Sequence, residues 1–376
     1  MTSMQSVYRS RRERVAKFIA SRGIAAVRFE DFEGTRSPSV RYLCGHPGDA
    51  FLVIGADASS VLVPWDENMA NKMASVDKIL PYTSFGRSSE SAMRAALEAL
   101  GTPVGSKVEF PETMSYPSYI DHVAALEGWD LVCERGGADT EVLAMRAVKD
   151  EIELEIYDRA SALTNSLIGQ VADLVAAGKL RTELDVALFI EKEARAHGAE
   201  RTGFETIAAG PERSFGIHAF PSFGNGPIGT TGLSILDFGI VVDGYTSDVT
   251  MSFVRGPLSA EQTAMVDLVQ AAYQLGVSAC KPGVPTRDIA LAIDDFFAKS
   301  GFSMPHALGH GVGLEAHEAP GVNARQNNTA VLVPGNIITL EPGLYHPDFG
   351  GVRLENDVLI TETGCKVLTD SKIVTL

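Results

Sequence analysis

The sequence predicts an α/β protein of two domains, and three observations support this prediction. The chain has 376 residues, which is too long for one small hydrophobic core. Strand-like and helix-like patterns alternate along its first part. The composition then shifts, and a long amphipathic helical pattern begins. In this pattern apolar residues recur every four positions, at Val148, Ile152 and Ile156. We therefore predict domains over residues 1–145 and 146–376.

The first domain begins with an arginine-rich segment that could be mistaken for a targeting peptide. Val15, Phe18 and Ile19 follow one another at helical spacing, and Gly23 stands where a helix would end, so we predict the first helix of the fold here. The next elements predicted are strands in AAVRF, AFLVIGA and SSVLVPW, a helix in ESAMRAALEALG, and strands in VGSKVEF and DLVCER. This domain carries no obvious catalytic motif.

Composition excludes several classes of protein. The formal net charge of −16 repels nucleic acid and anionic lipid, so neither is an expected partner. No apolar run reaches the length of a membrane span. The four cysteines lie far apart and form no CxxC pair, which favours a reducing, cytoplasmic location without disulfides or a thiolate zinc site.

The second domain contains a faint internal repeat. Segments 178–198 and 283–301 each place a glycine, a threonine suited to capping (Thr182 and Thr286), an acid in the first helical turn, an apolar face and a final glycine. Two such units suggest a pseudo-twofold domain with a site between its halves. Similarity this weak can also arise by chance.

Two carboxylates are predicted to meet in the segment LSILDFGIVVDGYTSDVTMSF. Asp243-Gly244 is a strong hairpin signal, and a turn there places Asp237 opposite Thr250. Asp248 is two residues from Thr250 and therefore on the same face of the sheet as Asp237. Two like charges on a mostly apolar strand pair are costly unless a positive group lies between them. The alternative is an exposed strand edge with an aspartate in its turn.

A second pair of acids and a histidine cluster follow. Glu341 ends the apolar strand IITLE, and Glu355 is embedded in VRLEN after a Pro/Gly-rich connection. HALGHGVGLEAHE gathers three of the eight histidines, either for chemistry or in an exposed loop. Four carboxylates and one histidine form a mainly oxygen ligand set that suits two divalent ions, Mn²⁺ above all. Such ions, about 3.5–4 Å apart, can share a bridging water.

The order of these motifs resembles that of a known family. DFG with an aspartate eight residues further on, H-x-x-G-H, EPG and R-x-E together resemble the pita-bread metallopeptidases, especially the Xaa-Pro aminopeptidase and Xaa-Pro dipeptidase (prolidase) branch. The resemblance spans the chain. It implies an α/β (α+β) protein with a smaller creatinase-like N-terminal domain and a C-terminal pita-bread (creatinase/aminopeptidase-like) catalytic domain. Relatives carry an arginine where this chain has Met251.

The resemblance also implies the metal ligands. It makes Asp237 a ligand of one ion, Asp248 and Glu355 bridges between two, and His310 and Glu341 the remaining ligands of the second. The ions would be Mn²⁺, with Co²⁺, Fe²⁺ or Zn²⁺ as alternatives. Glycines beside His310 would let the backbone approach metals and substrate.

The remaining site residues also follow from the resemblance. Glu341 would move protons, His317 would contact the scissile region, His218 would bind substrate and shuttle protons, and Arg353 would orient the last glutamate and meet a substrate carboxylate. His306 would line the pocket or be purely structural. We expect surface or packing roles for the other histidines, His46, His122, His197 and His346.

The expected function is hydrolysis of the peptide bond before proline, on a peptide with proline after its N-terminal residue, by a homodimer. Non-peptide enzymes on the same fold are the main alternative: hydrolases of acylated diamino acids, dimethylsulfoniopropionate lyases and creatinase, although creatinase dispenses with metals. A binding protein that has lost catalysis is the third possibility.

Overall fold

The structure is a computed structural model that describes residues 4–376 of the chain. Residues 1–3, which belong to the predicted N-terminal domain, lie outside the described part. The chain divides into two compact units, Met1–Met145 and Arg146–Leu376, and each is described by itself below.

The N-terminal unit is built on one mixed sheet of six strands in the order β4-β3-β2-β1-β5-β6. Every strand and helix predicted for this region is present. The creatinase-like identity of the unit stays a prediction. Its strands are β1 (Ile24–Asp31), β2 (Ala50–Gly55), β3 (Ser60–Pro64), β4 (Lys78–Ile79), β5 (Lys107–Glu109) and β6 (Asp130–Val132). Its helices are α1 (Met4–Ser21), α2 (Ser39–Cys44), α3 (Glu67–Met73), α4 (Ser89–Leu100), α5 (Tyr116–Ala125) and α6 (Ala138–Arg146), with a 3₁₀ turn over Tyr82–Phe85.

The second unit combines four helices with fourteen short strands. The helices are α7 (Glu151–Ala176), α8 (Glu183–Ala196), α9 (Ala260–Ala279) and α10 (Thr286–Ala298). The first strands are β7 (Arg201–Thr202), β8 (Ile207–Ala209), β9 (Gly232–Phe238), β10 (Ile240–Val242), β11 (Tyr245–Thr246) and β12 (Val249–Arg255). The later strands are β13 (Gly309–Gly311), β14 (Glu318–Val322), β15 (Ile337–Leu340), β16 (Gly343–His346), β17 (Gly350–Arg353), β18 (Asn356–Ile360), β19 (Cys365–Val367) and β20 (Ile373–Thr375).

Two apolar clusters divide this unit into halves. One packs side chains of α7 and α8 against β9 and β12, with Leu236 and Phe253 fully buried. The other packs α9 and α10 against β14, β15 and β18, with Phe297 and Ile338 fully buried. Each half therefore joins a pair of helices to a long hairpin, as the faint repeat suggests.

Helix starts follow side-chain capping, with two departures from the sequence prediction. Thr182 caps α8 in a reciprocal box with Asp185, as predicted. Thr286 does not cap α10, because its hydroxyl donates to the Gly321 carbonyl oxygen instead. Helix α7 starts after its cap Asp150, so Val148 lies outside the helix.

The register of the first hairpin is the one that the Asp-Gly turn predicts. Val242 pairs with Tyr245, and Asp237 pairs with Thr250. Asp243 and Gly244 have φ angles of 47° and 92°, the positive values that the favoured two-residue turn requires. The turn therefore decides which residue of β12 faces Asp237.

The second hairpin keeps one register across two pairs of strands. β15 pairs with β18 so that Leu340 faces Asn356, and β16 pairs with β17 so that Gly343 faces Arg353. Glu341 and Glu355 fall between these pairs, at facing positions. The main chain of the hairpin therefore sets the two glutamates side by side.

The four cysteines are free, in agreement with the prediction of no disulfide. In the described part of the chain, no helix is long and apolar enough to span a bilayer.

The Gly244→Ala substitution should destabilise the second unit, because an alanine at this positive φ costs about 1–2 kcal/mol. Urea unfolding at fixed metal concentration measures the loss. Asp243→Asn is the matched control, since asparagine tolerates positive φ, and it should change the free energy of unfolding by less than about 0.5 kcal/mol. Equal losses in both variants would contradict the assigned turn.

Candidate active site

The first hairpin contributes two buried carboxylates. Asp237 lies in β9, and Asp248 immediately precedes β12. Their exposed fractions are 7% and 4%, and both line one cavity. The structure thus brings together the two aspartates that the turn predicts to be neighbours, and it excludes the exposed strand edge.

The second hairpin adds Glu341 and Glu355 to the same cavity. Glu355 is buried, while the side chain of Glu341 keeps 17% exposure. One backbone bridge joins the hairpins, since Glu355 pairs with Thr250 and its N–H donates to the Thr250 carbonyl oxygen at 3.0 Å. The four acids therefore converge because two hairpins meet at this pair.

His310 reaches the acids from β13, the neighbour of β15 in its sheet. Its Nε2 lies 3.8 Å from an Asp248 carboxylate oxygen and 3.5 Å from a Glu341 oxygen. Its Nδ1 lies 3.1 Å from the Gly311 carbonyl oxygen, which holds the ring with Nε2 towards the carboxylates. One ligand atom each from Asp248, His310 and Glu355 lie within 4.8 Å of one another.

The glycines beside His310 are required by neighbouring strands, a reason that the sequence did not indicate. A Cβ on Gly309 would lie 2.1 Å from the Thr339 carbonyl oxygen. A Cβ on Gly311 would lie 2.1 Å from the Ala319 carbonyl oxygen. The glycines therefore permit close strand packing around His310, and closeness of the backbone to metal and substrate stays a prediction.

Arg353 lies beneath the cavity, and its partners differ from the expected ones. It is 1% exposed, and its guanidinium donates to Asp237 at 2.5 Å and to the Thr250 hydroxyl at 2.8 Å. Further bonds go to the Ile217 carbonyl oxygen and the Tyr345 hydroxyl. Arg353 therefore acts on Glu355 through Thr250, whose hydroxyl accepts from Arg353 and donates to Glu355 at 2.7 Å. A substrate carboxylate has no open approach to this buried group.

Three further histidines stand around the acids. His317 precedes β14, and its ring centroid lies 4.2 Å from that of His310. The Nε2 atom of His306 lies 3.0 Å from the Tyr345 hydroxyl oxygen, and its Nδ1 atom lies 3.7 Å from a Glu341 carboxylate oxygen. His218 is exposed on the loop before β9 and lines the cavity. All three border the same space as the predicted ligands.

The cavity has a volume of about 550 Å³, within the usual range for small-molecule sites. Eight of the nine predicted site residues line it, and Arg353 is the exception. Phe204, Ile207, Asn323 and Arg325 are further lining residues that the sequence did not single out. The cavity therefore has an acidic floor and a mixed rim.

Crowding raises the pKa values of the floor carboxyls. Burial raises the pKa of Asp248 well above its ordinary value, and the nearby Glu355 and Asp237 raise it further. Burial and Asp237 raise the pKa of Glu355 to about 7. Burial also raises the pKa of Asp237, although Arg353 opposes this effect. One guanidinium is thus too little positive charge for the cluster.

This donor set fits a divalent cation. Asp237 Oδ1 is buried without a hydrogen-bond partner among the described residues, which is costly for a polar atom unless something else satisfies it. Burial and His317 lower the pKa of His310 to about 4, so its imidazole is neutral, the form that binds metal. Carboxylate oxygens with one imidazole suit Mn²⁺ better than a thiolate-selecting metal.

Sequence reasoning missed four polar residues that hold the site together. Thr250 and Thr339 both donate to Glu355, and Tyr345 links Arg353 to His306. Asp357 accepts the Asp248 backbone N–H at 3.2 Å. Two of them carried a usable signal, since Thr250 is opposite Asp237 in the predicted register and Asp357 shares a strand face with Glu355.

The remaining histidines and Met251 stay away from the site. His122 is buried in the N-terminal unit against Arg28 and Ser89, and His46 is fully buried. His197 is exposed at the end of α8, and His346 is exposed against Phe349. Met251 is fully buried in the apolar cluster behind β12, so its difference from the family does not alter the cavity.

Comparisons with known proteins agree with this geometry. The model of metallopeptidase family M24 matches residues 155–362. The chain is 29% identical to the Xaa-Pro dipeptidase of Pyrococcus furiosus over 97% of this chain and 99% of that protein. It resembles the solved Xaa-Pro dipeptidase from Bacillus anthracis with a TM-score of 0.84 and 26% identity, over 98% of this chain and 100% of that one.

A second solved structure is similar to the same extent. The X-Pro aminopeptidase from Thermotoga maritima superposes with a TM-score of 0.83 and 25% identity, over 97% of this chain and 99% of that one. The resemblance inferred from the motifs is thus confirmed, together with the fold class. This chain belongs to metallopeptidase family M24 and has the pita-bread fold of the prolidase and X-Pro aminopeptidase structures.

Proposed function

We propose that this metallopeptidase cleaves the peptide bond before proline with two divalent ions, as an Xaa-Pro aminopeptidase or dipeptidase. The observation that carries the proposal is the convergence of Asp248, His310 and Glu355 within 4.8 Å at the floor of the cavity. Asp237 would bind one ion, Asp248 and Glu355 would bridge, and His310 and Glu341 would bind the other. The names of the relatives, Xaa-Pro dipeptidase and X-Pro aminopeptidase, support the substrate class.

Bound ions would supply polarisation of the scissile carbonyl and an activated, shared water. The residues of the chain prepare the site for this chemistry. Arg353 and Thr250 fix the orientation of Asp237 and Glu355 before substrate arrives. Such preorganisation avoids reorganisation during the reaction. We favour Mn²⁺ because oxygen donors dominate the set.

Glu341 is placed to move the proton from the attacking water to the leaving nitrogen of proline. It is the least buried of the four acids, and its oxygens lie 3.5 Å from His310 Nε2 and 3.7 Å from His306 Nδ1. A proton carrier must reach the substrate as well as the nucleophile. Glu341 is the one acid of the floor with that access.

His317 and His218 stand at the rim, where they can contact a bound peptide. His317 is exposed beside His310, so a donor from its ring can stabilise negative charge on the carbonyl oxygen. His218 lines the same cavity from the loop between β8 and β9. A role in substrate binding and proton exchange fits its exposure.

We also propose that the protein forms a homodimer and that it is located in a reducing compartment, the cytoplasm. The four free cysteines support the second part.

Removing one carboxylate charge from the floor should remove both metal and activity. Asp248→Asn and Glu355→Gln should each lower proline release by at least about 100-fold, the upper range for disturbing the groups that support a metal site. Bound Mn²⁺, measured by elemental analysis after dialysis against Mn²⁺, should fall in parallel. Asp243→Asn, an exposed aspartate of the same hairpin, is the control and should retain both. Full metal binding in the floor variants would refute the ligand assignment.

Removing the imidazole of His317 should slow turnover without releasing metal. His317→Ala should lower kcat by about 100- to 1,000-fold, the cost of losing one donor to a developing oxyanion. Bound Mn²⁺ should stay at the wild-type level. His346→Ala, an exposed histidine stacked on Phe349, is the matched control. A normal kcat in His317→Ala would remove this residue from the mechanism.

A substrate panel tests the function itself. Xaa-Pro dipeptides and Xaa-Pro peptides of increasing length are incubated with the Mn²⁺-loaded protein, and then with the Co²⁺-, Fe²⁺- and Zn²⁺-loaded forms. Matched peptides with alanine in place of proline are the control. We expect hydrolysis before proline and a clear preference over alanine. No cleavage of any proline peptide by the metal-loaded protein would reject the proposal.

A further inference from the structure

A buried charge cluster lies beneath the segment that carries His317. It consists of Arg146, Lys149 and Glu318, whose side chains keep 2%, 0% and 2% exposure. Arg146 donates to one Glu318 oxygen at 2.5 Å, and the Lys149 ammonium lies 3.6 Å from the other. No function proposed above uses these three residues. Buried charges are expensive unless they are paired, so the cluster requires an explanation.

The Glu318 carboxylate holds the fold of the segment 313–318. It accepts the backbone N–H of Glu315 at 3.1 Å through the same oxygen that Arg146 contacts. It also lies so close to Gly313 that a Cβ there would be 2.3 Å from the second oxygen. Gly313 in turn is tied to the site hairpin, because its carbonyl oxygen accepts the Thr246 N–H at 2.8 Å. The segment is thus closed around one carboxylate.

His317 depends on this segment for its position. The ring lies tilted against that of His310, with the two centroids 4.2 Å apart, and no hydrogen bond to it is present among residues 4–376. A ring without a polar anchor is placed by its backbone, and the next residue along that backbone is Glu318. A backbone shift that follows loss of the Glu318 carboxylate contacts would therefore move His317 relative to His310.

The two cations keep Glu318 charged and in place. Burial alone would raise the pKa of Glu318, but Lys149 and Arg146 lower it below the ordinary value. Lys149 is itself fixed to the sheet of the site, since its backbone N–H donates to the Gly335 carbonyl oxygen at 2.9 Å, two residues before β15. The same sheet contains His310 and leads into Glu341. The charge cluster thus connects the segment that carries His317 to the sheet that carries two floor ligands.

We propose that Glu318, clamped by Arg146 and Lys149, is a positioning residue that sets His317 over the floor of the cavity and thereby controls turnover. This inference rests on the proposed peptidase function. A merely structural role would instead make the cluster a stabilising ion pair with no particular connection to His317.

The test is a double-mutant cycle in the Mn²⁺-loaded full chain. Glu318→Gln keeps the side-chain volume and removes the charge. It should lower kcat by about 10- to 100-fold, the cost of a small misplacement of a catalytic group, with KM and bound Mn²⁺ within about twofold of wild type. In the His317→Ala background the same change should lower kcat by less than about twofold, since a positioning residue has nothing left to position. Equal losses in both backgrounds would overturn the proposal.

A matched control and a second variant complete the design. Glu315→Gln changes another Arg146 partner in the same segment, but the Glu315 side chain is 44% exposed, and exposed pairs contribute little; kcat should stay within about twofold. Lys149→Met removes the second cation and keeps its apolar stem, so it should repeat the kcat loss in milder form if Glu318→Gln fails to fold. A normal kcat in Lys149→Met would remove Lys149 from the clamp.

Amide hydrogen exchange separates this inference from the function on which it rests. In Glu318→Gln, exchange of residues 313–318 should accelerate while that of β9 and β12 stays unchanged, whether or not the protein cleaves proline peptides. Unchanged exchange in 313–318 would overturn the positioning role even in an active peptidase. Absence of proline release by wild type would reject the proposed function and leave the exchange result to stand by itself.

Discussion

The contact between Thr250 and Glu355 is the constraint on which the site depends. It carries the ladder of the first hairpin into the second, through a backbone bond and through the Thr250 hydroxyl. Because each hairpin has a fixed register, this contact also decides where Asp237 and Glu341 stand. Arg353 closes the arrangement by donating both to Asp237 and to Thr250. A shift of one residue at the bridge would turn the facing side chains to the other side of the sheet.

The same contact explains why so much negative charge can be buried. Four acids on a cavity floor repel one another, and Asp248 and Glu341 have pKa values raised well above the ordinary range by burial and by that repulsion. The fold prevents the acids from separating, since Asp237 and Glu355 start from paired or bridged positions, and Asp248 and Glu341 directly adjoin strand ends. The repulsion is therefore stored in the structure and favours a cation. Metal affinity in this site follows from strand pairing as much as from the ligand types.

Features set by neighbouring residues could be predicted from the sequence, and features set across the fold could not. Counting residues outward from the Asp243-Gly244 turn gives Thr250 as the strand partner of Asp237. The remaining ligands are predicted by the resemblance. The resemblance predicts that Arg353 orients Glu355, but the Arg353 guanidinium bonds directly to Asp237 and Thr250 and reaches Glu355 through the Thr250 hydroxyl. Arg146 and Glu318 are 172 positions apart, and no local pattern connects them. Thr286 resembles a cap in sequence, but its hydroxyl donates to the carbonyl oxygen of Gly321 in the distant strand β14.

The residues proposed to bind metal lie mainly in or beside strands, whereas those proposed to contact substrate lie in loops. The proposed floor ligands Asp237 and His310 lie within paired strands, whose registers tolerate little change. The rim residues His218, His317 and Arg325 lie outside the strands, where one substitution can move a side chain without disturbing the floor. Enzymes with the same ligand set can therefore act on different bonds, so the ligands identify a metallopeptidase fold more firmly than a substrate. The clamp on Glu318 acts at this boundary, because it transfers the rigidity of the sheet to one residue of the rim.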